Sequence, residues 1–320
     1  MSVTSRNRIL LLLGHESDYT ELPPLVPDGI FLRDLTVVMC SDFNLYNRFI
    51  SGEDITPVLQ QRYDLGFNFL RVWTLFNIPG IGNITDKSDI YDGYDEFIKL
   101  CSLYEMYIMF TAYTSIKDYL HWSRLLDALE RCQLRNFYIE LVNENNHPSN
   151  VNYIDTGQFQ KPDFCLSSHG SQISGDENPI LPIWDIIDYH TNDAPEWQRK
   201  VSHNAMEIGE RFNKICIASE NTRFSDHCDD SELAYQTARA AALLSAGSCF
   251  HSTHGKDSTL WTGLELDNAT LWARGANSVP LRYRKGFYRH RIDLESHEIL
   301  RAYSRTLGSN DEFIVKIKST

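Results

Sequence analysis

No run in this 320-residue chain is both apolar enough and long enough to cross a membrane as a helix. The apolar stretch Ile9 to Leu13, behind Arg6 and Arg8, mimics a secretory leader. It is too short for a leader core and no small-residue cleavage site follows, so it reads as a short strand. No C-x-x-C pair occurs. The seven cysteines, Cys40, Cys101, Cys132, Cys165, Cys216, Cys228 and Cys249, are odd in number and widely spaced, which fits reduced thiols rather than a disulfide framework or a zinc site. No G-x-G-x-x-G or G-x-x-x-x-G-K-[ST] opens a helix, so the dinucleotide and nucleotide folds lack their main support. "SSHGSQISG" holds serine and histidine but no G-x-S-x-G elbow, against a serine hydrolase. Basic residues are outnumbered 30 to 43 by acidic ones, a net charge of −13, which argues against nucleic acid and against an anionic membrane surface as partners. The expected location is cytoplasmic or phage-associated. "FHSTHG" (His251, His254) and "HCDD" at 227–230 lack a third ligand at a convincing spacing, so neither a metal nor a cofactor is expected.

What is present is alternation. Strand-like runs fall at 35–43, 67–73, 107–113, 136–144, 163–170, 184–190, 214–220 and 248–252, with amphipathic helical runs between most of them. "DITPVLQQRYDLG" has Asp54 as its N-cap and Gly66 as its stop, and the helix at 193–213 has Asp193 as cap and Pro195 in its first turn. The segments 145–183 and 253–285 read as long loops. Eight strands with crossover helices imply parallel pairing, and the expected fold is α/β, a single-domain (β/α)8 barrel over residues 28–308. Residues 1–27 are expected as an extension with a short strand. A last strand at 309–320 would pack on the barrel, pairing with "RILLLL".

In such barrels the polar residues at the C-terminal strand ends share one mouth. Strand two supplies Arg71 and Trp73, strand three Tyr113, and strand four Asn143 and Glu144. Strand six gives Tyr189 and His190, strand seven Glu220, and strand eight His251. Alternation puts Arg71, Glu140 and Glu144 inside. It also puts Ile215 and Ile217 outside, with Cys216, Ala218 and Glu220 inside. A guanidinium beside two carboxylates would hold one ionised while the other keeps its proton. Paired acids of that kind are what glycosidic cleavage needs.

"GFNFLRVW", "IELVNE" and "ICIASE", in this order, resemble the cellulase-like glycoside hydrolases of clan A, family five among them. The resemblance covers about residues 28–255. It implies a (β/α)8 barrel and retaining hydrolysis of a β-linked oligo- or polysaccharide, with Glu144 as acid/base and Glu220 as nucleophile. It further implies that Asn143 meets the sugar 2-hydroxyl, that Arg71 orients the nucleophile, and that His190 with Tyr189 forms the strand-six group. The chain departs from the pattern in three places. Asn145 stands where proline usually follows, Tyr113 is the nearest polar residue to the strand-three histidine, and Phe250-His251 occupy the strand-eight tryptophan position. Trp261 is then the candidate to fill that place from a loop, and Trp73 the other sugar-stacking candidate. The rival expectation is a barrel that binds carbohydrate, or builds a phage particle, without chemistry.

Overall fold

The computed structural model describes residues 22–25, 37–78, 82–84, 90–113, 119–144, 159–170, 172–173, 184–190, 205, 208–209, 211–212, 214–220, 231–244, 247–252 and 257–279. Eight parallel strands close on themselves, in the order β1 (Val37–Ser41), β2 (Phe69–Trp73), β5 (Tyr107–Tyr113), β6 (Phe137–Val142), β7 (Ser167–Gly170), β9 (Ile186–His190), β10 (Ile215–Glu220) and β11 (Gly247–Phe250), which pairs back to β1. All eight strand-like runs form barrel strands, and the (β/α)8 architecture stands. A hairpin of β3 (Phe76–Ile78) and β4 (Gly82–Ile84) follows β2, and the two-residue β8 (Gln172–Ile173) lies beside the upper end of β9.

The shell includes α1 (Leu45–Ile50), α2 (Thr56–Leu65), α3 (Tyr94–Leu103), α4 (Tyr119–Glu130), α5 (Ser231–Leu244) and α6 (Gly263–Asn277). Asp54 accepts the Thr56 N–H at 3.0 Å just ahead of α2, and Gly66 ends that helix at φ 91°, a left-handed backbone that a side chain would strain. The shell helix α6 falls within 253–285, which the sequence reads as loop. Its buried stripe, Glu265, Asn268, Ala269, Trp272, Ala273 and Ala276, has helical spacing but carries two polar members that hide the amphipathic signal. Gly275 lets α6 approach α5 closely, since a Cβ there would sit 2.2 Å from the Tyr235 carbonyl oxygen. The expected cap at Asp193, the closing helix after 285 and the strand at 309–320 lie outside the described residues.

Each barrel strand buries both faces, as a parallel sheet clad by helices requires. The barrel interior is an apolar plug that includes Val37, Met39, Phe69, Met109, Tyr138 and Ile217. Leu25 closes its lower end, donating its N–H to the Arg135 carbonyl at 2.7 Å and accepting the Leu166 N–H at 3.0 Å. Strands two and four point as alternation demands along most of their length, with Leu70, Val72, Phe137, Ile139 and Leu141 in the outer core, but Trp73 and Val142 at their ends pack there too.

Strand seven does not. Ile217 belongs to the interior with Ile215 packed against it, whereas Cys216 and Ala218 pack outward with Ala205, Ile208 and Phe212. The expected phase is inverted at this end of the strand. Between Ile217 and Glu220 the pairing with β9 slips. Ile217 pairs with Asp188 and Glu220 with His190, so three steps on β10 match two on β9. That bulge restores Glu220 to the inside.

Candidate active site

Above the apolar plug, the inward positions turn polar. Ser41, Arg71, Thr111, Glu140, Ser168 and Asp188 are all fully buried. Arg71 is the hub. Its Nη1 donates to Glu220 Oε2 at 2.8 Å, and its Nη2 donates to Glu140 Oε2 at 3.1 Å and to Asn143 Oδ1. Thr111 adds a hydroxyl to Glu140 at 2.6 Å. Burial lowers the proton affinity of Arg71, but the Glu140 and Glu220 charges outweigh this effect and raise it above the ordinary value.

The next tier opens on solvent. Glu144 and Glu220 keep 24% and 16% of their side chains exposed, whereas His190 is fully covered. His190 Nδ1 stands 3.3 Å from Glu144 Oε1 and 3.5 Å from Glu220 Oε2. The facing donor atoms of Glu144, His190 and Glu220 all lie within 4.8 Å of one another. On the far side, His251 Nε2 is 3.5 Å from Glu220 Oε1. Burial pushes the Glu220 carboxyl up, but His251, His190 and Arg71 together overcome it and hold the group well below the usual carboxylate range.

Glu144 answers why an apolar strand should end on an acid. It follows β6 with φ 49°, a left-handed backbone that a non-glycine residue adopts at a cost of roughly 1–2 kcal/mol. A solvated strand end has no reason to bear that strain. Here it accompanies a carboxylate turned back over the barrel mouth toward His190.

The two glutamates and the histidine could be read as ligands of a divalent ion. Arg71 opposes that reading, because its fixed positive charge already sits on the Glu220 oxygen that faces His190. The set suits proton and carbon chemistry better than a metal.

Of the residues singled out in the sequence, Arg71, Asn143, Glu144, His190, Glu220 and His251 come together. The other aromatics do not. Tyr189 points outward from β9 and packs with Ile187, Cys216 and Ala218 under the helix layer. Tyr113 is in the outer core, its hydroxyl accepting the Trp122 N–H at 3.0 Å and its ring edge-on to His121. Trp261 is fully buried outside the barrel, with the Arg62 guanidinium 3.3 Å over its ring and Phe67 and Phe250 at its edges. Trp73 is covered by Phe43, stacked at 3.9 Å and 7°. Phe43 itself lies beside the partners of Glu220, its ring centroid 5.5 Å from the His251 ring and 5.3 Å from the Arg71 guanidinium carbon. The three strand rings, Trp73, Tyr113 and Tyr189, turn from the expected place for one reason. A large ring at a strand end swings toward whichever side offers apolar cover, and the helix layer offers more of it than the mouth.

Phe43, Ser41 and Asp188 are among the residues of the site that went unread in the sequence. Phe43 and Ser41 belong to strand one and the turn after it, which supplied no polar end in the sequence reading. Asp188 stands two residues before His190 on the same inward face, so the period-two rule that selects His190 also selects it.

No protein-family model and no curated protein matches the sequence. Solved structures do match, at the level of fold. A family-five glycoside hydrolase from Prevotella bryantii B14 superposes with TM-score 0.50 over 79% of this chain and 99% of its own, at 10% identity. A GH5-4 broad-specificity endoglucanase from an uncultured bacterium gives 0.50 over 83% and 100%, also at 10% identity. A structure described as a glycoside hydrolase from Bacteroides vulgatus ATCC 8482 gives 0.50 over 68% of this chain and 50% of its own, again at 10% identity. The chain shares the barrel of these enzymes.

Proposed function

We propose that the protein is a retaining glycoside hydrolase acting on a β-linked glycan. The observation that carries this reading is the opposed pair Glu144 and Glu220 at the barrel mouth. Their facing oxygens are no more than 4.8 Å apart. Retaining enzymes hold their carboxyl groups about 5–5.5 Å apart, and inverting enzymes keep roughly 6.5–9.5 Å to admit a water.

The roles follow from the surroundings. Glu220, ionised and aimed by Arg71, attacks the anomeric carbon. Glu144 gives its proton to the departing glycosidic oxygen, so the C–O bond breaks as the ester bond to Glu220 forms. Glu144, now a carboxylate, takes a proton from water, whose oxygen displaces Glu220 and restores both acids. Asn143 turns its amide oxygen to Arg71, so its amide nitrogen is the end that a sugar hydroxyl at the reacting ring would meet. His190 lies between the two acids and gives each a polar neighbour as charge moves from one to the other.

A barrel that only binds glycan is the rival. It has no use for an acid at a left-handed φ, nor for a guanidinium committed to a second acid. The two readings part on one variant. Glu220→Ala is expected to abolish turnover while the far-ultraviolet circular dichroism stays unchanged, and added azide should restore cleavage of an activated aryl glycoside. Undiminished activity in that variant removes Glu220 from the mechanism. The first glycans to screen are xyloglucan, with which the Prevotella bryantii enzyme has been crystallised as an oligosaccharide complex, and other β-glucans.

A further inference from the structure

Glu220 is approached by two imidazoles, and the one from strand eight is held from behind. Ser41 Oγ, at the top of β1, is 3.0 Å from His251 Nδ1 and 3.3 Å from Cys249 Sγ. Ser41 and Cys249 are fully buried, and His251 is nearly so. The chain Cys249–Ser41–His251–Glu220 therefore runs from the barrel interior to the mouth, and the protons in it can be counted.

Cys249 is a thiol, because burial pushes its proton affinity up to about 12, and its S–H points at the Phe250 carbonyl oxygen at 3.6 Å. The Ser41 proton then has two acceptors within reach, Nδ1 of His251 and the Cys249 sulfur. If it went to sulfur while His251 was neutral, Nδ1 would carry the ring proton and the bare Nε2 lone pair would face the Glu220 carboxylate, a repulsive contact. If it goes to Nδ1, the ring proton sits on Nε2 and points at Glu220 Oε1. Only the second arrangement is favourable at every link.

We propose that Ser41 is a positioning residue for the nucleophile: by donating its hydroxyl proton to Nδ1 of His251, it fixes the imidazole as the Nε2–H tautomer and turns that proton toward Oε1 of Glu220. Arg71 donates to Oε2, and the His251 Nε2–H faces Oε1 across 3.5 Å, so the carboxylate has a hydrogen bond on one side and an imidazole proton on the other. When the ring takes a second proton, the Ser41 hydroxyl rotates to the sulfur and its oxygen accepts from Nδ1–H. The serine serves both charge states without moving its backbone. The groups that face His251 in this scheme are Ser41 from β1, Cys249 from its own strand, Glu220 from β10, and Phe43 with the Arg71 guanidinium behind it.

The kinetic part rests on Glu220 being the nucleophile, but the tautomer does not, so the first measurement needs no substrate. Protein labelled with nitrogen-15 in histidine separates protonated from bare ring nitrogens by chemical shift, and His251 is assigned by its loss in His251→Gln. The expected result is a bare Nδ1 and a protonated Nε2 in the wild type at neutral pH, the same in Ser41→Thr, and a shift toward the mixed tautomer in Ser41→Ala. A wild-type ring that, titrated to its neutral form, carries its one proton on Nδ1, or a tautomer indifferent to Ser41→Ala, overturns the proposal. If Ser41→Ala does not fold, the wild-type tautomer decides alone.

The second measurement is a double-mutant cycle in kcat/KM on an aryl glycoside. The amide of His251→Gln presents an N–H near the Nε2 position with no need of Ser41. Ser41→Ala should cost roughly tenfold in the wild type, the scale of one misdirected hydrogen bond to a charged group, and almost nothing in His251→Gln. Equal costs in both backgrounds mean that Ser41 merely packs, and the proposal fails. Absence of turnover in the wild type rejects the hydrolase reading while the resonance data still decide the role of Ser41.

Discussion

Asp188 is a buried acid to which no cation among the described residues donates, and replacing it by asparagine gives a test with a sign. Its carboxylate accepts the Tyr138 hydroxyl at 3.0 Å and the Ser168 hydroxyl, while the donors of Arg71 go to Glu220, Glu140 and Asn143. Burial, and then the Glu140 charge, push its pKa up to about 7, against the weaker opposite pull of Ser168, Arg71 and Tyr138. In the unfolded chain an aspartate titrates near ~3.9. A raised folded value means that the folded state binds this proton more tightly. The stability it supplies is complete below about pH 4 and is lost as pH rises to 7. A gap of about three pH units, at about 1.36 kcal/mol for each, makes the swing on the order of 4 kcal/mol.

The side chain introduced by Asp188→Asn cannot ionise. Its amide can still accept from Tyr138 and donate to Ser168, so little should change at pH 4.5. At pH 8, Asp188→Asn should be the more stable protein by a few kcal/mol, seen as a thermal midpoint several degrees higher. The assay is thermal or urea unfolding of both proteins at pH 4.5, 6 and 8, read as the difference between them. A difference flat across that range would mean that Asp188 is ionised in the native barrel, and that burial does not neutralise it.

Two further outcomes are expected. Arg71→Met leaves Glu140 buried and Glu220 unaimed. It should cost about 3–5 kcal/mol of stability, the range for a broken buried ion pair, and abolish turnover; a loss under about 1 kcal/mol in urea unfolding would show that the interior carboxylates do not need the guanidinium. Gly275→Ala puts a methyl 2.2 Å from the Tyr235 carbonyl oxygen and should destabilise by roughly 1–3 kcal/mol through separation of α5 and α6, with an unchanged thermal midpoint counting against that close contact.

The barrel was legible in the sequence because parallel strands clad on both sides must be short, apolar and regularly punctuated, and most of the eight are; β7, with Ser167, Ser168 and His169, is the exception. The placing of the two acids was legible because both stand at the C-terminal ends of strand-like runs, which a barrel gathers at one mouth. Ring direction was not. Trp73, Tyr113 and Tyr189 occupy strand ends where either side of the sheet is sterically open, and only the packed neighbours choose. Helix α6 was hidden because Glu265 and Asn268 stand on its buried face, so composition reads as loop where spacing reads as helix. The phase of β10 was hidden for a different reason. Its bulge leaves no mark in composition, since "ICIASE" alternates as well with Ile215 and Ile217 inside as outside.

That extra step in β10 separates two demands that a regular strand would tie together. Below it, Ile215 and Ile217 fill the barrel; above it, the chain is free to aim an acid into the mouth without disturbing a single packed side chain beneath. Drawing the segment 218–219 into regular pairing, with no residue removed, would leave Ile215 and Ile217 in place and swing Glu220 out among the helices. A barrel of unaltered composition and nearly unaltered core would then have one acid at its mouth, which is a way for enzymes of this architecture to fall silent that leaves no gap in their chemistry-bearing residues.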